Sequence, residues 1–328
     1  MKKILFVLFL ALCCACENSN RIFSIDTKFC PNAFETMELI GEKLPIEALG
    51  GYGINVFDTL LLITTNSPDH FYDVYGLNSY SLLAKALNKG RAQNEFLFAG
   101  YKGQYIQENG CINLYIHDLN KSVFWKYNLT ESVRQRADCG DIICKLPGNY
   151  HGAYFLSPDI FCYRNTKADG SLSYIIKNMK EDKVIDEFPI IDFIKNGDEN
   201  YISIGSHITK DHYVIVCDFW KMDQLMFIHL RNRTRICVST SDIQPTWESL
   251  RADYKDDKKA HYYDVATTKK EIYALYKKNP NNFEIHCFSQ TGDFLKRLIL
   301  KEKLISFDIT DSYIYGITTD EEIYRYKI

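Results

Sequence analysis

The chain has 328 residues, 46% of them hydrophobic, and a formal net charge of −3. Near neutrality leaves no electrostatic case for nucleic acid, which asks for a basic stripe or a high domain pI. The apolar fraction suffices for a sizeable core in one large domain or two small ones. Tyr (23) and Phe (20) are abundant, and both favour strands.

Taken in chain order, the N-terminus comes first. Lys2 and Lys3 precede an apolar run from Ile4 to Leu12, which ends at Cys13-Cys14-Ala15-Cys16 and then turns polar at Glu17. The run is shorter than the roughly 20 residues a spanning helix needs and has the length of a signal-peptide core. The small Ala15 before Cys16 resembles the lipobox of bacterial lipoproteins. That resemblance implies export, a lipid on Cys16 with cleavage after residue 15 (Cys14, after Cys13, is the alternative), and a place in the cell envelope on the periplasmic side or the surface. Residues 16–35 read as a polar tether, and 36–328 as the folded domain.

Six hairpins follow. Gly53–Val56 turns at Phe57-Asp58-Thr59 into Leu60–Ile63, and Gln104–Ile106 turns at Glu108-Asn109-Gly110 into Cys111–Tyr115. Gly152–Phe155 turns at Ser157-Pro158-Asp159, Ser206–Ile208 at Lys210-Asp211, and Tyr263–Thr267 at Thr268–Lys270. The last runs from Phe307 through Asp311-Ser312 to Ile317. Apolar runs around Asn-Gly, Pro-Asp and similar dipeptides are hairpin signals. The hairpins recur at roughly fifty-residue intervals, the range of propeller blades. A third strand follows each, for example Phe71–Tyr75 and Leu225–His229, and often a fourth, such as Arg235–Ser239 and Phe294–Leu300. Four strands per unit in radial repetition predict an all-β, six-bladed propeller. The last unit stops one strand short after Tyr326, and Thr36–Ile40 alternates well enough to supply the missing outer strand.

The stretch Leu44–Ile63, then Phe71–Tyr75, then Gly90-Arg91-Ala92-Gln93-Asn94-Glu95-Phe96 resembles the TolB-like six-bladed propeller family of exported bacterial lipoproteins. The last segment matches the family's Gly-x-Gly-Pro-x-Glu-Phe turn at Gly90, Glu95 and Phe96, with Ala92 and Gln93 in place of its Gly and Pro. The resemblance implies a fold and an exported location; it implies no catalytic residues.

No nucleophile elbow, phosphate loop, HExxH or EF-hand pattern occurs in the sequence. Propeller ligands meet the axial channel, so the residues opening the innermost strands are the candidate binding set: Gln104, His151, His207, Asp264 and Asp308. Such a ring could hold Ca²⁺ or a polar ligand, since oxygen ligands suit that ion; alternatively Asp264 and Asp308 bond backbone amides at strand entry. The insertion Gln244–His261 carries Trp247 and Tyr254 beside Arg251 and reads either as a recognition patch or as a solvated loop. Cys139 and Cys144 flank Gly140 and could pair locally. The functional expectation is a lipid-anchored module that binds an envelope protein or glycan. A propeller-type metal-dependent hydrolase or lyase is the alternative, and a self-associating envelope protein the third reading.

Overall fold

A computed structural model of the chain describes residues 22–23, 25–30, 35–146, 150–191, 194, 202–256 and 261–328. The expected signal peptide and Cys16 lie outside the described residues. No helix among the described residues is long and apolar enough to cross a membrane.

The strands form six sheets arranged as a six-bladed β-propeller. Blade 1 comprises β4 (Gly51–Phe57), β5 (Leu60–Thr65), β6 (His70–Gly76) and β7 (Leu82–Asn88). Blade 2 comprises β8 (Gly100–Glu108), β9 (Cys111–Asp118), β10 (Val123–Asn128) and β11 (Gly140–Lys145), with the short helix α1 (Leu129–Gln135) before its last strand. Blade 3 is β12 (Tyr150–Ser157), β13 (Ile160–Thr166), β14 (Leu172–Asn178) and β15 (Lys183–Ile191). Blade 4 is β16 (Ile204–Ile208), β17 (Val214–Phe219), β18 (Gln224–His229) and β19 (Thr234–Ser239). After helix α2 (Trp247–Asp253) comes blade 5, with β20 (His261–Thr267), β21 (Glu271–Asn279), β22 (Asn282–Ser289) and β23 (Phe294–Leu300). Blade 6 is β24 (Leu304–Ile309), β25 (Tyr313–Thr318) and β26 (Ile323–Lys327).

Three N-terminal strands are laid on the outer edges of successive blades. β1 (Thr27–Phe29) pairs parallel with β19 of blade 4, and β2 (Glu35–Leu39) parallel with β23 of blade 5. β3 (Gly41–Lys43) pairs antiparallel with β26 and completes blade 6. An N-terminal strand thus closes the ring as expected, but Thr36–Ile40 is not that strand. Closure falls to Gly41, where a Cβ would lie 2.7 Å from the Tyr326 ring and 3.1 Å from that of Tyr324. Only glycine lets the chain lie this close to two tyrosines.

The tether expectation for 16–35 also changes. Ile22 and Phe23 are buried between blades 3 and 4, with Phe23 packed edge-on to Phe219 at 4.7 Å, and β1 is a paired strand.

Six buried apolar clusters match the six blade-to-blade interfaces. Phe57, Phe96, Trp125 and Tyr127 join blades 1 and 2; Tyr115, Phe124 and Phe161 join blades 2 and 3. Tyr154, Cys217 and Phe219 lie between blades 3 and 4, and Val216, Phe227, Tyr262 and Phe288 between 4 and 5. Leu275, Leu304 and Phe307 join blades 5 and 6, and Ile63, Val56 and Ile317 join 6 back to 1. Each sheet therefore buries both faces. Burying a large apolar side chain contributes about 1.5–3 kcal/mol, so the ring is held by interfaces rather than by any single blade.

Cys30, Cys162, Cys217, Cys237 and Cys287 are buried as small hydrophobic groups, and all eight described cysteines are free. The pairing of Cys139 with Cys144 is therefore not made; the Cys139 thiol donates to the Ala137 carbonyl at 3.4 Å instead.

Candidate functional site

The inner strands β4, β8, β16, β20 and β24 enclose an axial cavity of about 160 Å³. Its wall includes Asn55, Thr64, Tyr101, Tyr105, His207, Asp264 and Asp308. Blade 3 contributes no lining residue, because blades 2 and 4 approach each other across the axis. Gly103 makes that approach. Its φ is +77°, and a Cβ there would come within 3.3 Å of His207 Nδ1.

Three of the candidate residues therefore meet here: His207, Asp264 and Asp308. Their roles differ. Asp308 accepts from Val56 N at 2.8 Å, which ties blade 6 to blade 1, and from its neighbour Ile309 N at 2.7 Å. Asp264 accepts from Ser306 Oγ at 2.8 Å and Phe307 N at 3.1 Å across the interface of blades 5 and 6, and from Val265 N at 2.9 Å. His207 Nε2 lies 3.4 Å from Asp264 Oδ1. Both carboxylates thus act as clasps between blades, each oxygen already accepting from the chain. Burial raises the Asp308 pKa, opposed by Lys210 and the two amides.

The two aspartates also differ in register. Ala266, not Asp264, pairs with Tyr273 as Asp308 pairs with Tyr315, so Asp264 stands two residues nearer the strand entry. Side chains repeat every second residue along a strand, so the shift keeps both on the same face.

Gln104 is buried at the interface of blades 2 and 3, where it donates to the Phe155 carbonyl at 2.5 Å and accepts from Phe155 N at 2.8 Å. It is a clasp and does not line the cavity. Trp247 is 4% exposed and packs with Leu250 into the core between blades 3 and 4. A recognition patch needs a reachable ring, so Trp247 offers none. Helix α2 holds it there through a capping box between Thr246 and Ser249. Tyr254 is half-buried and packs edge-on against Trp220, with ring centroids 5.3 Å apart. His151 is exposed and, with Arg164, Thr166 and Ser203, borders a separate cavity of about 290 Å³ between blades 3 and 4.

The lining contains polar groups left unused by the fold. The side chains of Asn55 and Thr64 and the hydroxyls of Tyr101 and Tyr105 make no hydrogen bond among the described residues. Tyr101 and Tyr105 stand edge-on to Phe57, at 5.9 and 5.0 Å between centroids. Burial, then the Asp308 charge, pushes the Tyr105 hydroxyl up to about 12 and that of Tyr101 well above its usual value, so both stay protonated as donors.

Several residues around the axis come from second strands. In β9 and β17, His117 and Asp218 stand opposite Gly100 and Gly205. A Cβ at either glycine would come within 2.2 Å of the facing side chain, His117 Nε2 or Asp218 Oδ1. Both polar side chains fold over a bare inner strand. Thr64 reaches the cavity in the same way over Gly53, where a Cβ would lie 2.8 Å from its hydroxyl. The readable signal was a polar residue ending an otherwise apolar second strand, opposite a glycine. Burial raises Asp218 to about 6, with His207 and Lys102 opposing and Asp264 adding. Among the described residues no group of three or more His, Cys, Asp or Glu could hold a metal ion.

No family model matches the sequence, and no curated protein matches it. Solved structures share the fold. A member of the DUF4221 family from Bacteroides vulgatus is 12% identical with a TM-score of 0.57, covering 88% of this chain and 97% of that one. A putative exported protein from Bacteroides fragilis is 13% identical at a TM-score of 0.52, with 90% and 99% covered. Hydrazine synthase from Kuenenia stuttgartiensis is 8% identical at 0.52, with 88% and 97% covered. At these identities the likeness is one of fold.

Proposed function

We propose that this chain is an exported, lipid-anchored propeller of the TolB-like type that binds the terminal residue of a glycan in its axial cavity. Export and the Cys16 anchor rest on the N-terminal pattern; one structural neighbour is itself described as a putative exported protein.

The observation that carries the binding reading is the division of labour in the cavity. The carboxylates are spent on clasping blades, while the Asn55 and Thr64 side chains and two tyrosine hydroxyls are unspent. These groups face the cavity with their hydrogen bonds unused by the fold, and each bond made to a ligand contributes about 0.5–1.5 kcal/mol. A ligand with many hydroxyls, flat enough to lie on the Tyr101 and Tyr105 rings, satisfies donors and acceptors at once. The cavity has room for one sugar ring rather than a chain. Because Asp264 and Asp308 already accept from the backbone, the same arrangement favours binding over carboxylate catalysis and over Ca²⁺.

Calorimetric titration of the mature domain with a panel of monosaccharides tests this. Saturable binding of at least one, weakened about tenfold in Tyr105→Phe with unchanged melting temperature, is expected. No heat from any sugar, or equal binding by the variant, refutes it. In cells, Cys16→Ser is expected to leave the membrane fraction.

A further inference from the structure

The separate cavity between blades 3 and 4, of about 290 Å³, is lined by two kinds of residue. One kind is aliphatic. Leu172, at the start of β14, and Ile194, after β15, are buried there, and Ile202 and Ile204 at the entry of β16 are half-buried. The other kind is polar: Arg164 of β13 and His151 of β12, with the exposed Thr166 and Ser203. No aromatic ring lines this cavity among the described residues, whereas Tyr101 and Tyr105 line the axial one.

Two glycines shape it. The β12–β13 pairing slips at Gly152, whose φ is +60°, beside the pair His151 and Arg164; a bulge re-aims the side chains next to it. Gly170, at a φ of +82°, closes the turn between β13 and β14 onto Ile194, where a Cβ would lie 3.3 Å from the Ile194 Cβ. Arg164 donates through Nη1 to the Ile204 carbonyl at 2.7 Å. Its guanidinium makes no other hydrogen bond and no ion pair among the described residues, and the His151 ring makes none either. Lys167, on the turn beside them, is by contrast paired with Glu187 at 2.6 Å. A guanidinium is always charged, so Arg164 holds a half-buried positive charge with most of its donors unspent.

We infer that this cavity is a second binding site, for a small aliphatic carboxylate whose acid group meets Arg164 and His151 and whose hydrocarbon lies against Leu172 and Ile194. It is distinct from the axial cavity and does not rest on the glycan reading. One fixed positive charge matches a singly charged head, and the planar guanidinium fork fits the two oxygens of a carboxylate. The aliphatic lining takes the chain out of water. A sugar finds no ring to lie on here. The volume stands near the lower bound of small-molecule sites, roughly 300 Å³, which suits a short branched chain and not a long acyl tail. Two sources present this chemistry: a free short-chain acid, and the C-terminus of a peptide that ends in a branched aliphatic residue.

The test is calorimetric titration of the mature domain with isocaproate, isohexanol, acetate and N-acetyl-alanyl-leucine. Isocaproate or the peptide is expected to bind saturably, about tenfold or more tighter than isohexanol, which lacks the charge, and than acetate, which lacks the chain. The tighter of the two identifies the source. Arg164→Gln is expected to remove the advantage of acid over alcohol. Thr166→Trp, at an exposed position on the cavity, should block both ligands with an unchanged melting midpoint, and it keeps the test open if Arg164→Gln does not fold. Equal binding of acid and alcohol, acetate as tight as isocaproate, no saturable binding of isocaproate or the peptide, or binding that Thr166→Trp leaves intact overturns the inference. Monosaccharide binding in the axial cavity is expected to be the same in both variants, so the two sites fail separately: sugar without acid leaves the axial site alone, and acid without sugar leaves this one.

Discussion

The two halves of the ring are built differently. Blades 4, 5 and 6 each carry an added N-terminal strand on the outer edge, whereas blades 1, 2 and 3 consist only of their own four. The first half is held by chain from far away in sequence. Side-chain clasps act in both halves: the Asp138 carboxylate accepts from Leu87 N and Asn88 N at the edge of blade 1, as Asp264 and Asp308 accept across the interfaces of blade 6. The functional groups follow the same division. Carboxylates committed to the fold line the axis on blades 5 and 6, while His151 and Arg164 come from blade 3. The division is one of charge and not of closure, since Gln104 on the inner strand of blade 2 also clasps its neighbour, bonding both backbone groups of Phe155.

That contrast can be broken most severely at the closing strand. A chain starting at residue 45 lacks β1 to β3, exposes the edge of β26 and uncovers Ile22 and Phe23's pocket. It is expected to lose cooperative melting by circular dichroism, while a chain starting at residue 35 retains it at a lower midpoint. Retained cooperativity in the first would mean that blade 6 closes without its strap. Next in size, Trp247→Ala opens a cavity between blades 3 and 4 and should cost about 3–5 kcal/mol by denaturant titration; a cost below about 1 kcal/mol would show that helix α2 is dispensable.

A pH effect of intermediate size belongs to Asp218. Its folded pKa, about 6, lies above the ordinary aspartate value of 3.8 because burial penalises the charged form. The folded state therefore holds more protons than the unfolded one between these values, and stability contributed by this group falls as pH rises from about 4 to 6. Asp218→Asn should flatten that fall and gain about 1–3 kcal/mol at pH 7; an unchanged profile would place the titration elsewhere. Smallest of all, Ile243→Ser at a 71% exposed position should shift stability by less than about 0.5 kcal/mol, which calibrates the other changes.

The blade pattern was legible because turn dipeptides and alternating strands are local signals, and all six hairpins fall where those signals stand. The fourth strand of blade 2 was missed because α1 and a loop separate β11 from β10 and hide the spacing. The closing strand was displaced because alternation in Thr36–Ile40 suits any outer edge, whereas the choice of Gly41–Lys43 depends on the bulk of Tyr324 and Tyr326, which lie nearly three hundred residues away. At the site, His207, Asp264 and Asp308 were found from their place at strand entry. Arg164 and Asp218 were not, since both come from second strands, Asp218 folding over Gly205 and Arg164 standing opposite His151 beside a separate cavity. Trp247 misled because an aromatic flanked by charges looks the same whether the helix turns it outward or inward.

The pairing of β3 with β26 also sets an order of events in time. Residues 41–43 have no partner until residues 324–326 exist, so the ring cannot shut before those residues have been made. Five blades can assemble as they emerge, but the sixth waits for β26, with the faces of blades 5 and 1 that it covers exposed to wrong partners in the interval. Pairings this distant in sequence are slow to find, which makes the interval before blade 6 closes, rather than the closed ring, the stage at which this propeller is most open to aggregation or to a chaperone.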